Sequence, residues 1–137
     1  MSNNLYQDIV EFVATEVSGA VIGTNLEAGG FKQDSPDTCS AITMPGGIPI
    51  LLSSGEPVVW EDIQLRILSR APDYIAAMNE ALKYYSVLNQ MSGYGFPIAL
   101  PVWRLHSEAV ARPAKIEEDD KGRNIFTANY ILRIVVI

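Results

Sequence analysis

Apolar and polar positions alternate most clearly from 58 onward. Val59, Glu61, Ile63, Leu65 and Ile67 fall on one side of an extended chain, and Trp60, Asp62, Gln64, Arg66 and Leu68 on the other. Successive strand side chains point to opposite faces, so this segment reads as a sheet strand with one covered face. Ser69-Arg70-Ala71-Pro72-Asp73 then turns the chain, because proline has no amide proton for a ladder. Either Pro72 takes the first helical position or Asp73 caps the helix that follows. Ile75, Met78, Ala81, Leu82, Tyr85 and Leu88 recur at helical spacing, and Asn89 is a stop.

The same reading extends along the chain. Residues 5–17 place Leu5, Ile9, Phe12, Val13 and Val17 on one stripe with Asp8 and Glu11 off it, a first helix ended by Ser18-Gly19. Between 19 and 37, Val21 to Leu26 is a short strand or an extended link, and Gly29-Gly30 and Ser35-Pro36-Asp37 are turn chemistry. Residues 38–45 alternate as a strand that Pro45-Gly46-Gly47 breaks. A short strand at 48–52 follows, giving a meander over 38–44, 48–52 and 58–69. Met91-Ser92-Gly93-Tyr94-Gly95-Phe96-Pro97 reads as a loop, and Pro101 implies an edge, a bulge or a loop before a strand starting near Val102. Asp-Lys-Gly at 120–122 is a turn before the cleanest strand of all. There Phe126, Ala128, Tyr130, Leu132, Ile134 and Val136 face one way, and Ile125, Thr127, Asn129, Ile131, Arg133 and Val135 the other. Its end is apolar on both sides and calls for cover by the domain or by a neighbouring subunit. The expected fold is α+β: one domain with a mainly antiparallel sheet and two helices packed on one face.

Composition narrows the function classes. The 137 residues are 48% hydrophobic and 19% charged, which argues against global disorder. A net charge of −6 argues against a nucleic-acid grip, which needs clustered Lys and Arg to neutralise phosphates. The start, Met1-Ser2-Asn3-Asn4, shows no basic region followed by an apolar run, and no stretch approaches the ~20 residues of a spanning helix. The expectation is a chain that works in a cytoplasm or on an assembled particle, with no membrane contact.

Candidate chemistry is sparse. His106 has Arg104 and Glu108 on its side of a strand, a general-base arrangement that an interface histidine explains as well. Cys39, the single cysteine, reads as a small buried residue, and pairing with His106 as a nucleophile has no flanking signature. Glu117, Glu118, Asp119 and Asp120 lack the alternating spacing of a calcium loop and read as a solvated run. Gly29-Gly30 lacks the Lys-Ser or Lys-Thr of a phosphate cradle. Arg66 and Arg70 are expected in salt bridges to Glu61 or a neighbouring chain. No catalytic residue, cofactor or metal is assigned.

Two stretches carry a family resemblance. One is Ile63-Gln64-Leu65-Arg66-Ile67-Leu68-Ser69-Arg70-Ala71-Pro72-Asp73-Tyr74, with Ala76-Ala77 and Ala81-Leu82 behind it; the other runs from Asp119-Asp120-Lys121-Gly122-Arg123 through Tyr130. Together they resemble minor capsid and tail-terminator (tail-completion) proteins of long-tailed bacteriophages, in a strand-to-helix step and a late Asp-x-x-Gly-Arg turn that opens a strand. The order of elements matches over most of the chain, leaving 19–37 and 93–101 unmatched. The resemblance implies a virion protein that forms a ring, typically a hexamer, on the head-proximal end of the tail tube. Such a ring stops tube growth, meets the head connector or stopper protein, and lets genomic DNA through without specific binding. Met44, Pro45, Glu56, Tyr94, Phe96, Ile131, Arg133 and Val135 are candidate contacts with other subunits or with the tube; Glu117, Glu118, Asp119 and Asp120 are a candidate lumen or rim turn. The alternatives are a head-completion or stopper protein, another neck component, or a small-molecule-binding domain or enzyme with a polar-lined pocket around His106.

Overall fold

The computed structural model describes residues 5–48, 60–96 and 103–136. In chain order the elements are α1 (Leu5–Glu16), β1 (Leu26–Ala28), β2 (Cys39–Ile48), β3 (Trp60–Ala71), α2 (Tyr74–Leu88), β4 (Met91–Phe96), β5 (Trp103–Ala109), β6 (Ala114–Glu118) and β7 (Asn124–Val136). The strands form one sheet in the order β1-β2-β3-β7-β5-β4, with β6 also paired to β7. Among the described strands only β1 and β2 pair in parallel. β3 and β7 pair from Trp60↔Val135 to Ala71↔Asn124 and form the sheet's spine. β5 and β6 lie end to end along the other side of β7, β5 against its residues 130–136 and β6 against 124–127. The segment between them bulges outward, tied back by the Val110 N–H donating to the Asn129 carbonyl at 2.9 Å.

Alternation explains which face is covered. Ile63, Leu65 and Ile67 of β3 and Ala128, Tyr130, Leu132 and Ile134 of β7 are buried in one cluster with Ile9, Phe12 and Val13 of α1 and Tyr84 and Leu88 of α2. Both helices therefore cover the same face, as the pattern anticipated. The Asp73 carboxylate accepts from the Ala76 N–H at 3.2 Å, so aspartate rather than proline makes the cap, and Asn89 ends the helix.

Several elements depart from the sequence reading. The buried stripe of α2 is Ala77, Glu80, Ala81, Tyr84 and Leu88, turned from the expected one, while Ile75 stands exposed. The cause is Glu80, a polar residue that faces inward. Its carboxylate accepts from Ser40 Oγ at 2.8 Å, Ser40 Oγ meets Ser69 Oγ at 2.9 Å, and Lys83 Nζ lies 3.1 Å from the other carboxylate oxygen. Asp8, expected off the stripe of α1, is buried as well, beside Ile9 and Val10. Pro45-Gly46-Gly47 does not break β2; the register shifts between Thr43 and Gly46 and the strand continues to Ile48. A bulge absorbs the proline and glycines that sequence alone reads as a stop. The glycine-punctuated run at 91–96, read as a loop, is strand β4, again with a register shift, between Ser92 and Tyr94. The ambiguous link resolves into an isolated bridge at Ile22 and the short β1. The strand proposed at 48–52 lies, beyond Ile48, outside the described residues. Among the described residues no helix is long and apolar enough to cross a membrane.

Candidate functional site

The face of the sheet opposite the helices is open, and cross-strand register sorts it into rows. One row runs Asp62, Arg133, His106, Ser92 across β3, β7, β5 and β4; the next runs Gln64, Ile131, Glu108. In the first row Arg133 clasps Asp62 with both arms of its guanidinium, Nε to Oδ1 at 2.8 Å and Nη2 to Oδ2 at 3.0 Å. Those bonds hold the Asp62 carboxyl below the usual carboxylate range and push the Arg133 guanidinium up. Ser92 Oγ lies 2.8 Å from His106 Nδ1. Farther along, Arg66 Nε donates to Asn129 Oδ1 at 3.1 Å. An open hollow of ≈ 770 Å³ sits over these rows, with Ile131 in its lining beside Gln90, Ser92, His106, Glu108 and Arg133. Ile131 is 44% exposed, so the hollow pairs an apolar residue with polar neighbours. Gln90 holds φ at 61°, a left-handed conformation that a side chain disfavours.

The other end of this face is closed by the chain itself. Arg70, 4% exposed, donates from Nη2 to the carbonyls of Ser35 (3.1 Å) and Pro36 (2.9 Å), and its guanidinium stacks 4.4 Å over the Phe31 ring. Arg70 therefore pins the 31–36 segment over β2 and β3, and the side chain of Glu61, its expected partner, lies outside the described residues. Arg66 likewise bonds to Asn129. Cys39 is buried opposite Arg70, and burial pushes its thiol pKa up. Cys39 shares a row with Arg70 and His106 one with Asp62, eight positions apart along β3. That is roughly 27 Å at strand rise, so the two cannot act as a nucleophile pair. Among the described residues no carboxylate bonds to His106, and no group of three His, Cys, Asp or Glu could hold a metal.

The remaining candidates divide. Ile131 and Arg133 meet in the hollow. Met44 is half-buried and packs against the core cluster, an inward role. Pro45 lies within β2, Tyr94 and Phe96 within β4, and Val135 within β7, but their side chains are outside the described residues, as is all of Glu56. The acidic run splits in its surroundings. Glu117, Glu118 and Asp120 are exposed, whereas Asp119 accepts from the backbone N–H of Lys121 (3.0 Å) and Arg123 (2.9 Å) and from Arg123 Nε (2.7 Å). Arg123 also reaches Asp37 at 3.0 Å, and Gly122 takes φ 77°. The Asp-x-x-Gly-Arg pattern is thus a turn that aspartate organises, glycine permits and arginine anchors. Sequence reasoning missed Glu80 and the Ser40–Ser69 pair, polar residues whose inward direction only the folded register reveals, and it named Arg70 without the backbone carbonyls that cover it.

No protein-family model and no curated protein matches this chain.

Proposed function

We propose that this chain is a virion structural protein of a long-tailed phage: a tail terminator that assembles as a ring on the head-proximal end of the tail tube, ends tube growth and joins the tail to the head connector. One observation carries the reading. The two stretches that resemble terminator proteins are spatial neighbours, so the resemblance describes one structural unit. Ala71 pairs with Asn124, Asn124 Nδ2 donates to the Pro72 carbonyl at 3.1 Å, and the Tyr74 and Phe126 rings meet edge to face at 5.1 Å. The strand-to-helix step and the late turn lock each other in place.

Function on this reading is association without bond chemistry. A ring needs head-to-tail contacts whose rotation closes. The open face supplies a further contact surface, for the tube, with Ile131 exposed beside the Asp62–Arg133 clasp. Net charge of −6 suits a lumen past which DNA slides, because like charge keeps phosphates from sticking. The exposed Glu117, Glu118 and Asp120 at the tip of the β6–β7 hairpin are the residues offered for that wall or its rim.

The hollow beside His106 favours a second reading, a small-molecule-binding domain, since ≈ 770 Å³ falls within the range of ligand sites. Mixing the purified chain with tail tubes and with heads, then imaging the pelleted particles, separates the readings. Chain on tube ends supports a terminator, and chain on the portal side of heads identifies a stopper instead. A chain that binds neither, and takes up a metabolite as a monomer or dimer, overturns the virion reading.

A further inference from the structure

Register places two partly apolar surfaces at opposite edges of the sheet, one offering Arg112 and the other Glu11. Leu26, Ser40, Ser69, Phe126 and Lys115 stand in one row across β1, β2, β3, β7 and β6, so β1 and β6 are its two ends, roughly 19 Å apart at four strand spacings. On the β6 side the segment 110–116, Val-Ala-Arg-Pro-Ala-Lys-Ile, spans the bulge after β5 and the start of β6; its Lys115 is held by Glu118 of the same strand at 2.9 Å, so Arg112 is the cation it offers. Its ends stand out, Val110 at 63% and Ile116 at 51% exposure. Arg112 has no carboxylate partner among the described residues; its guanidinium rests over the Tyr85 ring at 5.4 Å. On the β1 side α1 presents Glu11 at the surface, with Asp8 buried beneath it, while Lys32 pairs with Glu27 of β1 at 3.3 Å. A mainly apolar cleft of ≈ 250 Å³ opens there, lined by Tyr6, Gln7, Val10, Glu11, Ile22 and Ala28. Ile22 is 44% exposed, and the Glu11 carboxylate holds the Gln7 amide at 3.1 Å on the surface.

We infer that the bulge 110–116 of one copy docks in the α1–β1 cleft of the next, Ile116 or Val110 entering the apolar groove and Arg112 meeting Glu11. The occupant is a second copy of this chain because each molecule carries both halves on opposite edges: Arg112 between the exposed Val110 and Ile116 on one, and Glu11 in the apolar cleft on the other. A contact between unlike patches leaves one patch of each kind free on every growing assembly, which is the geometry of a ring or a filament. An isologous dimer would use one patch twice and bring like charges together. The inference rests on the ring reading and names its subunit contact.

The test is disulfide trapping. Ile22→Cys and Ile116→Cys are made separately in the full-length chain, and the buried Cys39 leaves the parent chain as an unreactive control. Mixed under mild oxidation, the two variants are expected to cross-link at least tenfold more than either alone, and the variant carrying both is expected to give a ladder that ends at a closed ring. Charge reversal checks the same contact: Arg112→Glu and Glu11→Arg each reduce trapping, and combining them restores it. Equal self- and cross-linking, or none, overturns the contact. Tail tubes are included in a parallel sample and their ends imaged. Capped ends without the 22–116 bond sink this contact and leave the terminator reading standing. Trapping without capped ends upholds the contact and sinks the terminator reading. Absence of both sinks both.

Discussion

Glu80 offers the sharpest test of how the helical layer is fixed to the sheet. It is 9% exposed on α2, and its carboxylate takes the one proton of Ser40 Oγ, so Ser69 must donate to Ser40 in turn. Glu80→Ala removes the acceptor at the head of this chain. A hydrogen bond to a charged group contributes about 1.5–3 kcal/mol. The half-exposed Lys83 pair adds only ~0.2–0.5 kcal/mol, as helix-surface pairs do. The expected loss is therefore about 2–3 kcal/mol, or roughly 8 °C in melting temperature for a chain of this size. Glu80→Gln retains an acceptor and is expected to cost about 1 kcal/mol or less. Urea unfolding followed by circular dichroism reads both, with the midpoint moving and the slope unchanged. A double-mutant cycle with Ser40→Ala is expected to show a coupling of about 1–2 kcal/mol. If Glu80→Ala unfolds within ~0.5 kcal/mol of the parent, or if alanine and glutamine cost the same, the buried network does not hold the helix as described.

Other consequences follow from single positions. Tyr130→Asp puts a carboxylate on a fully buried site of β7 and is expected to destabilise by a few kcal/mol, whereas Asp120→Ala on the exposed turn stays within ~0.5 kcal/mol; thermal melts in the reverse order contradict the face assignment. Gln90→Gly relieves a left-handed residue between α2 and β4 and is expected to gain about 0.5–1 kcal/mol, a gain that denaturant melts would miss if the turn were unstrained. Asp62 titrates below its ordinary value because Arg133 bonds to its charged form. Its folded pKa is lowered, so the pair's contribution is present above the unfolded carboxylate pKa and lost as pH falls through the folded one. The size stays under ~1 kcal/mol because both groups are partly exposed. NMR titration of the carboxyl is expected to show the depressed midpoint return to normal in Arg133→Ala; an unchanged midpoint refutes the clasp.

Regular alternation made much of this fold legible. Ile63, Leu65 and Ile67, and Phe126 to Ile134, declare their faces by period alone, and both strands fold with those faces inward. Asp73 and Asn89 mark the ends of α2 because capping is local chemistry. What alternation hides is polar residues that turn inward and breakers that a neighbouring strand absorbs. Glu80 is legible as buried only once Ser40 and Ser69 are known to lie beneath it, which is a matter of register between β2 and β3. Pro45-Gly46-Gly47 and the glycines of β4 read as stops because their bulges depend on partners far away in sequence. Of the contact candidates, Ile131 and Arg133 have an outward placement that strand period gives, since it follows from inward Tyr130 and Leu132 on β7. The bulge 110–116 was not singled out, for its exposure follows from β5 and β6 sharing one side of β7.

Seeded elongation of tail tubes addresses the central claim most directly. Preformed tube seeds are incubated with this chain, free tube subunits are added, and lengths are measured by electron microscopy. The account predicts that growth stops at the ends the chain occupies, with a ring visible there. Seeds that lengthen at the same rate with and without saturating chain, their ends bare, contradict it.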